Sequence, residues 1–215
     1  MARVYIYVVD RDFGFAPNPF HGFCTLATCK PGIRRTAQTG DWVVGMGGCR
    51  LNATGRCVFA MCVEECLTFD DYWSDPRFRT KRPIRNGSRK MMVGDNIYHR
   101  ATTSAQWQQE DSHHSLTDGQ PNAFNVARDT QTNRILASRH FIYFGASAPT
   151  VPPEILEAIG YRNRRSYRVF GEADCAPLLE WLNEEYESDF GTVLGDPFDF
   201  GHSSARYSTE NNRVT

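Results

Sequence analysis

His99, His113 and His114 lie close in sequence to Asp95, Glu110 and Asp111, and these are the groups of the chain best suited to moving protons near neutral pH. An imidazole needs a carboxylate to fix its tautomer. The pattern therefore predicts His99 or His113 as a general base, with Asp111 or Asp95 as its orienter, acting on water or reading the polar edge of a ring. His113 and His114 are adjacent, so on a strand they would face opposite ways and could not share one role. A polar surface loop with satisfied histidines is the alternative for the same segment.

A second set of side chains lies in residues 12–45, where Gly14, Pro17, Pro19, Gly22 and Pro31 forbid a long helix or a flat strand. Phe13, Phe15, Phe20, Phe23 and Trp42 can stack on a planar ring, an interaction worth roughly 1 to 3 kcal/mol per base, and Asn18 can read its edge. The alternative is that these rings plug one end of a core. The guanidinium forks of Arg34 and Arg100 match phosphate oxygens, as do Arg35, Arg77 and Arg79. The ligand-binding set expected from sequence is thus Phe15, Asn18, Phe20, Phe23, Arg34, Trp42 and Arg100. The basic run Arg77, Arg79, Lys81 and Arg82 is the candidate nucleic-acid track, and Asp75-Pro76-Arg77-Phe78 within it also reads as a capped turn. Arg162 to Arg168 forms a second basic patch.

The cysteines are less directive. Cys24, Cys29, Cys49, Cys57, Cys62 and Cys66 follow C-x4-C, C-x7-C, C-x4-C and C-x3-C spacings without paired C-x2-C knuckles, so no structural zinc is predicted. Buried free cysteines acting as small apolar residues are expected instead. Cys24 has His21 and Thr25 as neighbours and could belong to a thiol active site, but no second feature singles it out. No metal or cofactor is expected. The chain has neither a dinucleotide-binding glycine motif nor a P-loop.

These groups need a scaffold. Val4–Val9 is a β-branched, aromatic strand ended by Asp10-Arg11-Asp12, and residues 41–48 form a second strand entered through Gly40. Residues 30–39 suit a short helix or turn. Residues 58–67 and 135–145 read as two further strands, with Thr68 and Asp71 placed to cap a helical turn between 68 and 73. Ala176 to Tyr186 has helical spacing, with Pro177 near its start. Residues 74–124 are polar and irregular, anchored by scattered apolar side chains. Short, glycine-bounded strands joined by long loops predict an α+β fold, a small mixed β-barrel with peripheral helices. Residues 1–190 are expected to form one domain and 191–215 a partly flexible C-terminal extension.

A chain of 215 residues, 40% of them apolar, can bury a real core. A net charge of -1 argues against a large non-specific grip on duplex nucleic acid. Seven cysteines with no pairing scheme imply a reducing compartment. A core strand directly after Arg3, and no apolar stretch near the roughly 20 residues that span a bilayer, complete the expectation of a cytoplasmic protein without a membrane partner.

The successions Asp12-x-Gly14-Phe15-Ala16-Pro17-Asn18-Pro19-Phe20, Cys24-Thr25-Leu26-Ala27-Thr28-Cys29-Lys30-Pro31-x-Ile33-Arg34, Gly40-Asp41-Trp42-Val43-Val44-Gly45 and Tyr72-Trp73-x-Asp75-Pro76-Arg77-Phe78 resemble the second family in the series of nucleotide modification associated domains. The resemblance covers most of the chain to about Pro152. Gly40-Asp41-x-Val43-Val44, the strand near Val58 and the Tyr72-Trp73 segment are also similar to PUA-like barrels of the EVE and ASCH type. These likenesses imply a cleft that binds a modified base or nucleotide, a flipped base or a short nucleic acid, within a DNA-modification or nucleic-acid-surveillance system that supplies a protein partner. The alternatives are a hydrolase acting on a modified nucleoside or nucleotide, with His99, Asp111 and His113 catalytic, and a protein-interaction module.

Overall fold

The computed structural model describes residues 2–164 and 166–215; Arg165 of the second basic patch lies outside the described residues. The strands are β1 (Arg3–Val9), β2 (Cys24–Leu26), β3 (Trp42–Gly47), β4 (Cys57–Cys62), β5 (Glu65–Leu67), β6 (Tyr98–His99), β7 (Gln108–Gln109), β8 (Ile135–Ser138), β9 (Phe141–Tyr143), β10 (Tyr167–Gly171), β11 (Thr192–Val193), β12 (Tyr207–Ser208) and β13 (Arg213–Val214). The helices are α1 (Pro31–Thr36), α2 (Phe69–Ser74), α3 (Arg89–Met92), α4 (Ala123–Thr130), α5 (Pro153–Ala158) and α6 (Ala176–Tyr186).

Six strands form a mixed sheet in the order β10-β1-β3-β4-β9-β11, in which β1 lies parallel to β3 and β9 parallel to β11. The strand β1 is buried on both faces along most of its length, which explains its unbroken Val-Tyr-Ile-Tyr-Val run. A second sheet has the order β2-β8-β5. The two are joined because β4 leads into β5 and β8 into β9. Main-chain bonds from Cys62 N to His140 O (3.0 Å) and from Glu64 N to Ala137 O (3.1 Å) carry the antiparallel ladder round the corner. Close approach of β3 to β4 requires Gly45, since a Cβ there would sit 2.3 Å from the Phe59 ring.

The α+β class with peripheral helices holds, but the expected PUA-like barrel does not form. Among the described residues, β10 pairs only with β1 and β11 only with β9, so the six-stranded sheet ends in two separate edges and no sheet closes. The strands foreseen over 58–67 and 135–145 also each divide at the corner, which sends their halves into different sheets instead of round one barrel. No helix among the described residues is long and apolar enough to cross a membrane.

Two apolar clusters fill the interior. One packs the six-stranded sheet against α6 through Leu178, Leu179 and Leu182. The other gathers Phe13, Phe15, Phe20, Phe23, Phe69 and Phe78 beneath the second sheet. Thr68 and Asp71 make the foreseen capping box at the start of α2. Lys81 lies inside the second region, fully buried. Its Nζ donates to Phe23 O (2.7 Å), Asn18 O and Oδ1 (both 2.8 Å) and Thr25 Oγ1 (3.1 Å). Thr25 Oγ1 and the Tyr72 hydroxyl in turn donate to Asp95, at 2.6 and 2.8 Å. Burial pulls the Lys81 ammonium down to about 8 and pushes the Asp95 carboxyl up to about 6. The Lys81→Met variant takes a donor from Asn18 O, Asn18 Oδ1 and Phe23 O and removes the positive charge that balances buried Asp95. It is expected to lose about 3 to 5 kcal/mol of stability in urea denaturation, and a loss below about 1 kcal/mol would refute this network as the tie between the opening segment and residues 76–97.

Candidate functional site

Between β2 and α1 the chain reverses through Cys29 (φ 57°) and Lys30 (φ 37°), both in the left-handed region. A non-glycine residue there carries strain of about 1 to 3 kcal/mol, which persists only where the surroundings enforce it. Here they do. Cys29 N donates to Asp129 Oδ1 at 3.0 Å, and Cys29 O accepts from Arg34 Nε at 2.9 Å. A sharp strand-to-helix turn of this kind presents a side chain clear of the backbone, and the side chain is the Cys29 thiol.

The sulfur faces His114. Cys29 Sγ lies 3.7 Å from His114 Nε2, and His114 Nδ1 lies 2.7 Å from Asp129 Oδ2. The Asp129 carboxylate is completely buried and also accepts from the Tyr98 hydroxyl at 2.9 Å. The helix α4 supplies Asp129 and, one turn earlier on the same face, Asn125, whose Nδ2 donates to His114 O at 2.8 Å. One helix face thus holds both the ring and the main chain of His114. Arg34 donates to Asp129 O in the last turn of α4 (2.6 Å) and to Thr132 O (3.0 Å) and Arg134 O (2.7 Å) in the chain that leaves it.

The two adjacent histidines are in opposite charge states. Burial disfavours a charged His114, but Asp129 and then Cys29 outweigh that cost and lift its pKa to about 10. Burial, reinforced by the His114 charge, drives His113 down to about 3. His113 Nδ1 therefore carries a proton and donates it to Ala205 O at 2.7 Å. Both rings turn inward because residues 112–115 form a turn, closed by Ser115 N to Ser112 O, instead of the strand that would have separated them.

Cys29, His113 and His114 line a cleft of about 1140 Å³. Phe13 and Phe15 form its inner wall against the histidines, with Phe15 4.7 Å from the His114 ring. Tyr7, Tyr167 and Tyr207 are its other aromatic walls. Cys29, His114 and Asp129 offer ligand atoms within 4.8 Å of one another. The Asp129 oxygens are already engaged by Cys29 N, His114 Nδ1 and Tyr98, so this donor set fits a thiol–imidazole–carboxylate relay better than a metal centre.

Of the ligand set read from sequence, Phe15 lines the cleft. Phe20 stacks on Phe200 and Phe23 meets Phe78 edge to face in the second apolar cluster, while Trp42 packs against His140 and Phe190. Asn18 is buried and donates to Val93 O. Arg34 is the buried staple described above. Arg100 pairs with Asp70 and lies over Trp107. In the basic track, Arg77 pairs with Glu65 and Asp75, Lys81 is buried, and Arg82 lies over Trp73; Arg79 is exposed. Among the catalytic candidates, Asp111 pairs with Arg206, and His99 pairs with Glu110 and stacks on Trp73, on the strand face opposite Tyr98. The structure thus keeps His113 beside the cleft but does not bring His99 and Asp111 to it.

Cys29 and His114 were visible as residue types, but Asp129 was not singled out. Its signal was the Asn122 cap, which accepts from Phe124 N and Asn125 N, followed by two polar residues at i,i+4 spacing.

Unfolded, His114 titrates near 6.5. With a folded value of about 10, its pairing stabilises the protein fully below the lower value, and that contribution is lost as pH rises through the higher one. Histidine 15N spectra are expected to show His114 charged through neutral pH while His113 stays neutral down to about 3; two rings titrating together near 6.5 would contradict the assignment.

The family model described as nucleotide modification associated domain 2 matches residues 1–204. No curated protein and no solved structure matches the chain.

Proposed function

The chain belongs to the nucleotide modification associated domain 2 family, and on that footing we propose that it is a thiol-dependent enzyme that removes or transfers an acyl group carried by a modified nucleotide. The observation that carries this reading is the alignment of Cys29 Sγ, His114 Nε2 and Asp129 Oδ2 at 3.7 and 2.7 Å beside an open cleft. A nucleophile, a base and an orienter in that order are the parts required for acyl transfer through a covalent intermediate.

In the attacking form the proton resides on His114 Nε2 and Cys29 is a thiolate, the nucleophilic state of cysteine. Sulfur adds to the acyl carbonyl carbon. The tetrahedral adduct then collapses, the bond to the nucleotide's nitrogen or oxygen breaks, and His114 gives its proton to that leaving group. A thioester on Cys29 remains. Water or an amine, deprotonated by His114, attacks the thioester and releases the thiol. Throughout, Asp129 holds Nδ1–H and stabilises the imidazolium without taking its proton. Neutral His113, with Nδ1 committed to Ala205 O, offers Nε2 as an acceptor for a donor on the substrate. Base recognition by the aromatic wall is retained as substrate binding.

Two measurements test this reading. Iodoacetamide is expected to label Cys29 faster than Cys49, an exposed thiol on the same cleft that has no histidine among its hydrogen-bond partners. N4-acetylcytidine 5′-monophosphate, used as an acylated probe, should leave an acetyl group on Cys29 in acid-quenched protein. Turnover should fall by roughly 1,000-fold or more in Cys29→Ala and His114→Ala. Equal labelling of the two thiols, together with unchanged turnover in Cys29→Ala for every acylated nucleotide tried, would overturn it.

A further inference from the structure

The distribution of positive charge is uneven. Arg34 and Lys81 are buried, and Arg3, Arg77, Arg100 and Arg206 each face a carboxylate. Several of the remaining cations meet in the cleft. It is lined by Arg11, Lys30, Arg50 and Arg128 against Asp10, in a chain whose net charge is -1. Among the described residues, Lys30, Arg50 and Arg128 have no carboxylate within 4.0 Å and their side chains donate no hydrogen bond. Arg11 is held by Asn212 and lies over the Tyr207 ring.

Two of the uncommitted cations adjoin the triad in sequence: Lys30 follows Cys29, and Arg128 precedes Asp129. The Lys30 ammonium stands 4.4 Å from the centre of the Tyr7 ring. The Tyr7 hydroxyl is an independent observation. It is buried, lies on the cleft wall, and has no hydrogen-bond partner among the described residues. Buried hydroxyls are rarely left so, and a donor of this kind is completed by an acceptor that enters with a ligand. Unpaired cations cost self-repulsion in the free protein, which an anion relieves. The cleft also exceeds the volume of an ordinary small-molecule pocket, leaving room for a nucleotide together with its modification.

We propose that the substrate reaches Cys29 with a phosphate attached, held by Lys30, Arg50 and Arg128 and completed by the Tyr7 hydroxyl. This rests on the thiol reading for the chemistry at Cys29, but the phosphate site is measured apart from it. A phosphate fixed beside the triad places the nucleotide's acyl group by orientation, so recognition of the unreactive end supports the reacting end. Phosphomonoesters and phosphodiesters share the required chemistry, and a free nucleotide and a single strand are its two sources.

The test uses Cys29→Ala protein, which keeps the cations and cannot turn over. Calorimetric titration compares N4-acetylcytidine, its 5′-monophosphate and a short single-stranded oligonucleotide carrying the same base, at low and high salt. At least one phosphate-bearing form should bind roughly 10-fold to 100-fold tighter than the nucleoside, with the advantage shrinking at high salt. Tighter binding of the monophosphate assigns a free nucleotide, and tighter binding of the oligonucleotide assigns a strand. Arg50→Gln and Arg128→Gln, both at exposed positions, should each remove a large part of that advantage while nucleoside affinity stays unchanged. Equal affinity for the nucleoside and both phosphate-bearing forms would overturn the proposal. So would an advantage untouched in the arginine variants. Unaltered turnover on replacing Cys29 would overturn the thiol reading alone.

Discussion

The carboxylate of Asp129 is the constraint on which the rest of the site depends. A fully buried negative charge costs several kcal/mol unless it is paired and hydrogen-bonded. Its partners come from three separate stretches of chain: Cys29 N from the turn after β2, Tyr98 from β6 and His114 from the turn at 112–115. Satisfying that one group therefore brings nucleophile, base and orienter into register. It also enforces the left-handed backbone at Cys29, which no local preference would select. Arg34 extends the arrangement from the other side by taking Asp129 O in the last turn of α4 together with Thr132 O and Arg134 O just beyond it, so the helix that carries Asp129 is tied to the chain that follows it.

The scaffold gives this cluster a fixed frame. The ladder shared by β4–β5 and β8–β9 bends one pair of strands into two sheets, and the cleft opens at the far end of the larger one, where β1 ends at Val9 beside Gly47 of β3. A closed barrel would have had no such corner. Its absence also leaves β10 as an outer strand whose Tyr167 stands at the cleft margin, while β1 beside it contributes Tyr7.

Legibility of the sequence followed the range of the forces involved. The strand at Val4–Val9, the helix at Ala176–Tyr186 and the Thr68–Asp71 capping box were readable because each depends on neighbours within a few residues. Closure of the sheet was misjudged because it depends on which distant strands pair, and β4 and β8 carry no local mark of the bend. The helix α4 escaped hydrophobic periodicity because its buried face is made of Asn125 and Asp129. His99 and Asp111 drew attention by sequence proximity, yet a two-residue strand turns His99 away from Tyr98, and an arginine from the far end of the chain meets Asp111. Arg34 and Lys81 show the same lesson for cations: their chemistry suits phosphate, and main-chain oxygens have taken its place.

The late part of the chain has a consequence for when this site can exist. Tyr207 N donates to His113 O, Ala205 O receives the His113 ring proton, and Tyr207 and Asn212 stand on the cleft wall. These residues are synthesised long after Cys29, so a nascent chain that has threaded its thiol out of the ribosome still lacks the segment that orders the histidine turn. Assembly of the reactive centre therefore waits until the chain has been made through Asn212, and a product truncated before Ala205 would carry the cysteine without the finished cleft around it.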